Sequence, residues 1–165
     1  MIMKYENMKK LKELKENIHG GLYPIAGQTE WYEATKVLST SGCDLIKSIE
    51  DFRAKVHSVK IALFFPLSWN NMSYLDTNYY ELLKNYELYF DVNMEFQKTI
   101  IDGDVYTDKQ GYEKKYVSEL LDHVGKAIDH VSSLVSAKST EYKHCQVLFV
   151  ALVAIVIAVI SLIWR

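Results

Sequence analysis

Two short segments hold the residue types from which a site could be built. Leu121-Asp122-His123-Val124 recurs seven residues on as Ile128-Asp129-His130-Val131. On a helix this spacing sets Asp122 with Asp129, and His123 with His130, on one face each and about 10 Å apart. One metal ion cannot take both histidines across that distance. Glu119 and His123, four residues apart, share a face but would need further ligands from another helix. Neither a metal nor a cofactor is therefore expected. The same residues read as the polar flank of a heptad helix, with Asp122 and Lys126 spaced for an i,i+4 ion pair. Because histidine titrates near neutrality, a pH-sensitive interface is a further use for them. The second segment is Arg53-Ala54-Lys55-Val56-His57, where Arg53 and His57 lie one turn apart and are the candidate catalytic pair. Nucleophile elbow, phosphate-binding glycine loop, HExxH and paired-carboxylate signatures are all absent from the sequence. A non-enzymatic protein is the expectation.

The elements that would carry these residues are helical. Leu45, Ile49, Phe52, Val56, Val59 and Leu63 alternate by four and three, as do Leu75, Tyr79, Leu82, Tyr86, Tyr89, Asn93 and Phe96, and again Val117, Leu121, Val124, Ile128, Val131 and Val135. This is the apolar seam of helices packed nearly parallel or antiparallel. Met8, Leu11, Leu14 and Ile18 mark a shorter first helix, and Thr29 to Leu38 a brief second one. Turn residues divide them at Gly20, Gly21 and Pro24, at Thr40 to Gly42, at Pro66 to Asn71, and at Asp102 to Asp104. No stretch alternates with the period of a strand. The expected fold is all-α: a cytoplasmic antiparallel helical bundle over residues 1–145, whose last helix runs into a single transmembrane anchor over 146–165.

The anchor is the strongest signal in the chain. From Val147 to Trp164 the sequence reads VLFVALVAIVIAVISLIW, with Ser161 its one polar member. At 1.5 Å per residue the run is roughly 27 Å long, close to the hydrocarbon thickness of a bilayer. Lys138, Lys143 and His144 precede it and Arg165 follows, so the positive-inside rule places the N-terminal part in the cytoplasm. The first residues mix Lys and Glu and hold no apolar core of the kind a signal peptide needs. Ala151, Ala154, Ala158 and Ser161 fall at spacings of three, four and three on one helix face, where small side chains let two spans approach closely. Self-association through that face is expected. Continued in heptads, the soluble seam falls on the other side of the helix.

With 165 residues and a formal charge of -2, the chain suits one domain plus an anchor, and its net charge argues against general nucleic-acid affinity, so nucleic-acid binding is not expected. Cys43 and Cys145 sit in no metal or disulfide spacing. Cys145, just before the span, is positioned for acylation. The first helix is rich in Lys and the segment from Tyr74 to Tyr106 in Asp and Glu, so these two regions are matched for ion pairing. The segment IALFFPLSW, residues 61–69, is dense in apolar and aromatic side chains. It reads as a helix end and turn over the core, or as a loop docking on the membrane interface or a partner through Phe64, Phe65, Leu67 and Trp69. Tyr74, Tyr79, Tyr80, Tyr86, Tyr89 and Phe90 read as a tyrosine-rich core with hydroxyls at its edge.

Arg53 and His57 together resemble the Arg-to-His motif of HEPN ribonucleases, helical domains that use such a pair across a dimer. Three residues separate them here where that family has four to six, and no polar residue follows Arg53. The resemblance implies RNA cleavage dependent on His57. A heptad helix followed by an anchor also resembles a SNARE, with Gln110 at the place of a central polar layer, although Gly103 and Gly111 interrupt that register. The main expectation is an oligomeric membrane effector or pore subunit of a defence-type system. The alternative is an anchored adaptor or tether holding a soluble protein partner by helix-in-groove contact.

Overall fold

The computed structural model describes residues 5–19, 28–62, 68–98 and 108–164. They form four helices: α1 (Tyr5–His19), α2 (Gln28–Ser58), α3 (Trp69–Lys98) and α4 (Asp108–Ile163). No strand occurs among the described residues. Leu11 and Leu14 of α1 are buried, with Met8 and Ile18 packed beside them. On the outer face of α1, Lys9 pairs with Glu13 and Lys10 with Glu6 at i,i+4 spacing.

Helix α2 departs from the expected division. Thr40 to Gly42 make no turn, and one helix replaces the two anticipated around them. The reason lies in the stripe that α2 buries: Trp31, Ala34, Leu38, Ser41, Leu45, Ile49, Phe52 and Val56 recur at helical spacing without a break. Glycine costs a helix interior about 1 kcal/mol relative to alanine, and close packing offsets this at Gly42. A β-carbon at that position would meet Leu120 Cδ2 and the Tyr89 hydroxyl, each at 2.5 Å. Leu120 can swing aside, whereas Tyr89 is fully buried. Gly42→Val is therefore expected to destabilise the protein by about 2 kcal/mol through overpacking. Thermal melting followed by circular dichroism checks this, and an unchanged or raised midpoint would show that the site has room.

The turn expected at Pro66 to Asn71 is shorter than predicted, because α3 begins at Trp69 and takes Asn70 and Asn71 into its first turn. Just before it, the Ser68 hydroxyl accepts a 2.7 Å hydrogen bond from the Ala62 backbone N–H. Helix α3 buries Met72, Leu75, Leu82, Asn85, Tyr89, Val92, Asn93 and Phe96. Of the proposed tyrosine core, Tyr89 is buried and Tyr79 and Tyr86 are packed against the core. Tyr74, Tyr80 and Phe90 lie exposed instead, because they fall a position or two off the buried stripe.

The contacts give the chain directions. Trp31 stacks near Phe96 and Phe52 near Tyr79, so α2 and α3 run antiparallel. Gln97 donates to the Lys114 carbonyl and Asn93 to the Val117 carbonyl, and Gly125 faces the Tyr86 hydroxyl, so α3 and α4 are antiparallel as well. Helix α1 lies against α2 and α3 and makes no comparable approach to α4. Of the charge match expected between its lysines and the acidic segment, the described residues show the ion pair Lys15 Nζ to Asp91 Oδ2 at 2.9 Å. Asn7 of α1 also donates to the Asp44 carboxylate of α2.

Helix α4 is a single rod. Val117, Val124, Ile128, Val131 and Val135 are buried, and Tyr142 is packed at the margin of the core. Beyond Cys145 the helix continues to Ile163, and from Val150 onward its side chains are exposed. At about 1.5 Å per residue the whole rod is roughly 84 Å long.

Candidate functional site

The last part of α4 makes it the one helix among the described residues that is long and apolar enough to cross a membrane, and no residue of its apolar window is buried. Val150, Ile155, Ile157, Ile160 and Leu162 are each more than half exposed. A surface several turns long and apolar on every side marks a candidate membrane span. Ala151, Ala154, Ala158 and Ser161 all lie on it, and all are exposed. The Ser161 hydroxyl donates to the Ala158 carbonyl at 2.8 Å within the helix, as Ser commonly does in an apolar span. It thus adds to the face by its small size, since its proton is already committed.

The pairings of α3 with α4 advance residue for residue from Gln97–Lys114 through Asn93–Val117 to Tyr86–Gly125. Continued to the start of α3, they set Trp69 level with Tyr142, about five residues or ~8 Å short of Val147. Trp69 is 61% exposed there. Phe64, Phe65 and Leu67, named with it as a docking loop, lie outside the described residues. Just past the end of α2, Val59 and Ile61 pack against the core, and Lys60 is exposed between them. Lys143 and His144 are exposed on α4 just before the span, Cys145 is half-buried, and Lys138 is paired with Glu141 at 3.0 Å.

At the opposite end the core contains a polar chain. Asn93, fully buried, donates through Nδ2 to the Val117 carbonyl at 3.2 Å and to the Tyr89 hydroxyl at 3.4 Å, and its Oδ1 accepts from Gln97 at 3.3 Å. Burial pushes the Tyr89 phenol far above the usual tyrosine value, and the bond from Asn93 offsets part of that. A buried amide aligned on one carbonyl fixes the register of α3 on α4, the use best attested for polar groups inside helical seams. Nearby, Cys43 of α2 and Tyr116 of α4 lie close together, and the thiol is the first cause that pushes the Tyr116 phenol up. Tyr32, Thr35, Lys36, Ser39, Glu113 and Tyr116 line a groove of about 190 Å³ here. Tyr32, Tyr116 and Tyr112 stand exposed beside it.

The residues with recognisable chemistry are not gathered. Arg53 donates to Glu50 at 2.8 Å on its own helix, and His57 lies exposed one turn on. Lys55, on the same stretch, donates to the Tyr74 hydroxyl at 3.1 Å. Neither Arg53 nor His57 lines the groove beside Tyr116 or the open one of about 490 Å³ formed by Gln97, Gly111, Lys114, Lys115, Ser118 and Glu119. Asp122 pairs with Lys126 at 2.6 Å and Glu119 with Lys115 at 3.7 Å, while His123 and His130 point to solvent. Asp129, on the second copy of the repeat, lies close enough to Tyr86 to add to the rise that burial causes in that phenol. Among the described residues no group of three or more His, Cys, Asp or Glu is placed to hold a metal ion. The Asn93 chain and the Cys43–Tyr116 contact had no counterpart in the sequence beyond the position of Asn93 in the seam.

No protein-family model, curated protein or solved structure matches this chain.

Proposed function

We propose that the chain is a non-enzymatic, single-pass membrane protein that self-associates, with α1 to α3 and the first part of α4 forming an antiparallel bundle on the cytoplasmic side. The observation that carries this reading is the apolar length of α4, no residue of which is buried in the protein. A core helix would be covered by its own protein; this one needs lipid or other copies of itself. Lys138, Lys143 and His144 before the span favour the cytoplasmic side for the bundle. The small face at Ala151, Ala154, Ala158 and Ser161 offers the contact between spans. Because α4 is continuous, a tilt or rotation of the bundle passes directly into the span. An assembly that opens or disturbs a membrane, as in a defence-type effector or pore subunit, would use that coupling. One span cannot enclose a conduit, so a pore requires several copies.

Light scattering of the full-length protein in detergent, beside a chain stopped before Val147, tests the reading. A discrete oligomer that falls to a smaller species on truncation is the expected result. A monomer in both forms would overturn self-association.

The exposed tyrosines Tyr32, Tyr112 and Tyr116 around their groove favour a second reading, an anchored adaptor that holds a soluble protein by this face. Tyrosine is enriched where proteins meet because its ring is apolar and its hydroxyl bonds at the rim. A stoichiometric partner that dissociates on Tyr112→Ala and Tyr116→Ala would distinguish it.

A further inference from the structure

We propose that the end of the helical domain next to the span, formed by Trp69 with Lys60, Lys143 and His144, is a seat for anionic phospholipid headgroups that holds the domain against the bilayer. The proposal rests on the reading of α4 as a membrane span and adds a second contact with the same membrane. Three observations meet here. The antiparallel register brings the start of α3 to within ~8 Å of the first residue of the apolar run, so this end stands at headgroup depth. Trp69 is the large side chain at the head of α3 and is 61% exposed, although the core lies directly behind it with Met72 and Leu75 buried. Tryptophan at this depth places an apolar ring and one N–H donor where a bilayer offers both apolar and polar surroundings. The charges around it are of one sign: Lys60 and Lys143 are exposed, with His144 beside Lys143, and the acid at this level, Glu141, is bound to Lys138.

Basic side chains near an anionic leaflet are attracted to it within a Debye length. The lysines at this end lie at that range by geometry once α4 is inserted. A second copy of the chain is a poorer occupant, because it would bring the same cations face to face.

The test uses tryptophan emission from the full chain reconstituted into phosphatidylcholine vesicles, with and without phosphatidylglycerol, and with brominated lipid as the quencher. The chain has three tryptophans. Trp164→Phe removes the one at the far interface, and Trp31, packed on Phe96 at the other end of the domain, is roughly 50 Å from the span and beyond a lipid quencher's reach. The expected result is a blue-shifted Trp69 emission that brominated lipid quenches. Quenching should rise with phosphatidylglycerol, disappear in the Trp164→Phe/Trp69→Phe chain, and lose its dependence on anionic lipid in Lys60→Glu/Lys143→Glu. Red, unquenched emission from a chain that floats with the vesicles and resists carbonate would overturn the seat and leave the span intact. A blue shift without lipid quenching would overturn it in favour of contact between copies. A chain that does not float at all would remove the span and the seat together.

Discussion

Replacing Val153 and Ile157 with arginine is expected to move the chain almost completely out of the carbonate-resistant membrane fraction. Each arginine near the centre of a span costs about 2.5–3.5 kcal/mol on the insertion scale, and each lost Val or Ile forfeits a further 0.3–0.6 kcal/mol. Two substitutions therefore remove about 6–8 kcal/mol, a shift of more than ten-thousandfold in the inserted fraction. Both positions are remote from the core, at 39% and 61% exposure on the bare part of α4, so the packed helices should keep their melting behaviour. Membrane flotation before and after carbonate washing reads the first quantity, and circular dichroism the second. A variant that stays in the membrane would show that the apolar run is held by something other than lipid. A variant that unfolds would show that α4 packs where the structure leaves it bare.

The second large effect is expected at the other end of the molecule. Trp31→Ala should cost about 3–5 kcal/mol, the range for removing a large aromatic from a close-packed core. Trp31 is 1% exposed and its ring lies 4.7 Å from that of Phe96, joining the start of α2 to the end of α3. Those ends are separated in sequence by almost the whole of both helices, so one side chain closes a long loop. For a domain whose total stability is about 5–15 kcal/mol, a loss of this size lowers the melting midpoint by roughly 10 °C or more. Urea titration of the full chain in detergent would measure it, with Trp31→Phe recovering most of the loss because the ring contact persists. A change below about 1 kcal/mol would mean that the Trp31–Phe96 contact is not part of a packed core.

These variants also separate what was legible in the residues from what was not. The seams of α1, α3 and the first part of α4 were read correctly because burial on a helix repeats every three to four residues, and a stripe such as Val117, Val124, Ile128, Val131 and Val135 needs no partner to be seen. The Asp122–Lys126 pair was legible for the same reason, being local to one helix. Thr40 to Gly42 was misread because glycine and small hydroxyl residues are turn formers in isolation. Their role depended on Leu120 and Tyr89, residues far along the chain, which fill the space that a side chain at Gly42 would need. The tyrosines were assigned together to a core by their number, and only the position of each relative to the stripe divided Tyr89 from Tyr80 and Phe90.

The residues with recognisable chemistry followed the same division. Arg53 and His57 share a helix face by spacing alone, but whether a face looks into a groove depends on what is packed around it; Arg53 meets Glu50. The Asn93 amide aligned on the Val117 carbonyl and the Cys43–Tyr116 contact are non-local pairings, which no periodicity carries. The helical class, the apolar run of α4 and the main buried stripes follow from residue type and from a period set by the backbone. The register of α3 on α4 and the close approach at Gly42 came from the packed fold alone. Those depend on which distant side chains fill one another's space, and packing of that kind is settled by the whole chain at once.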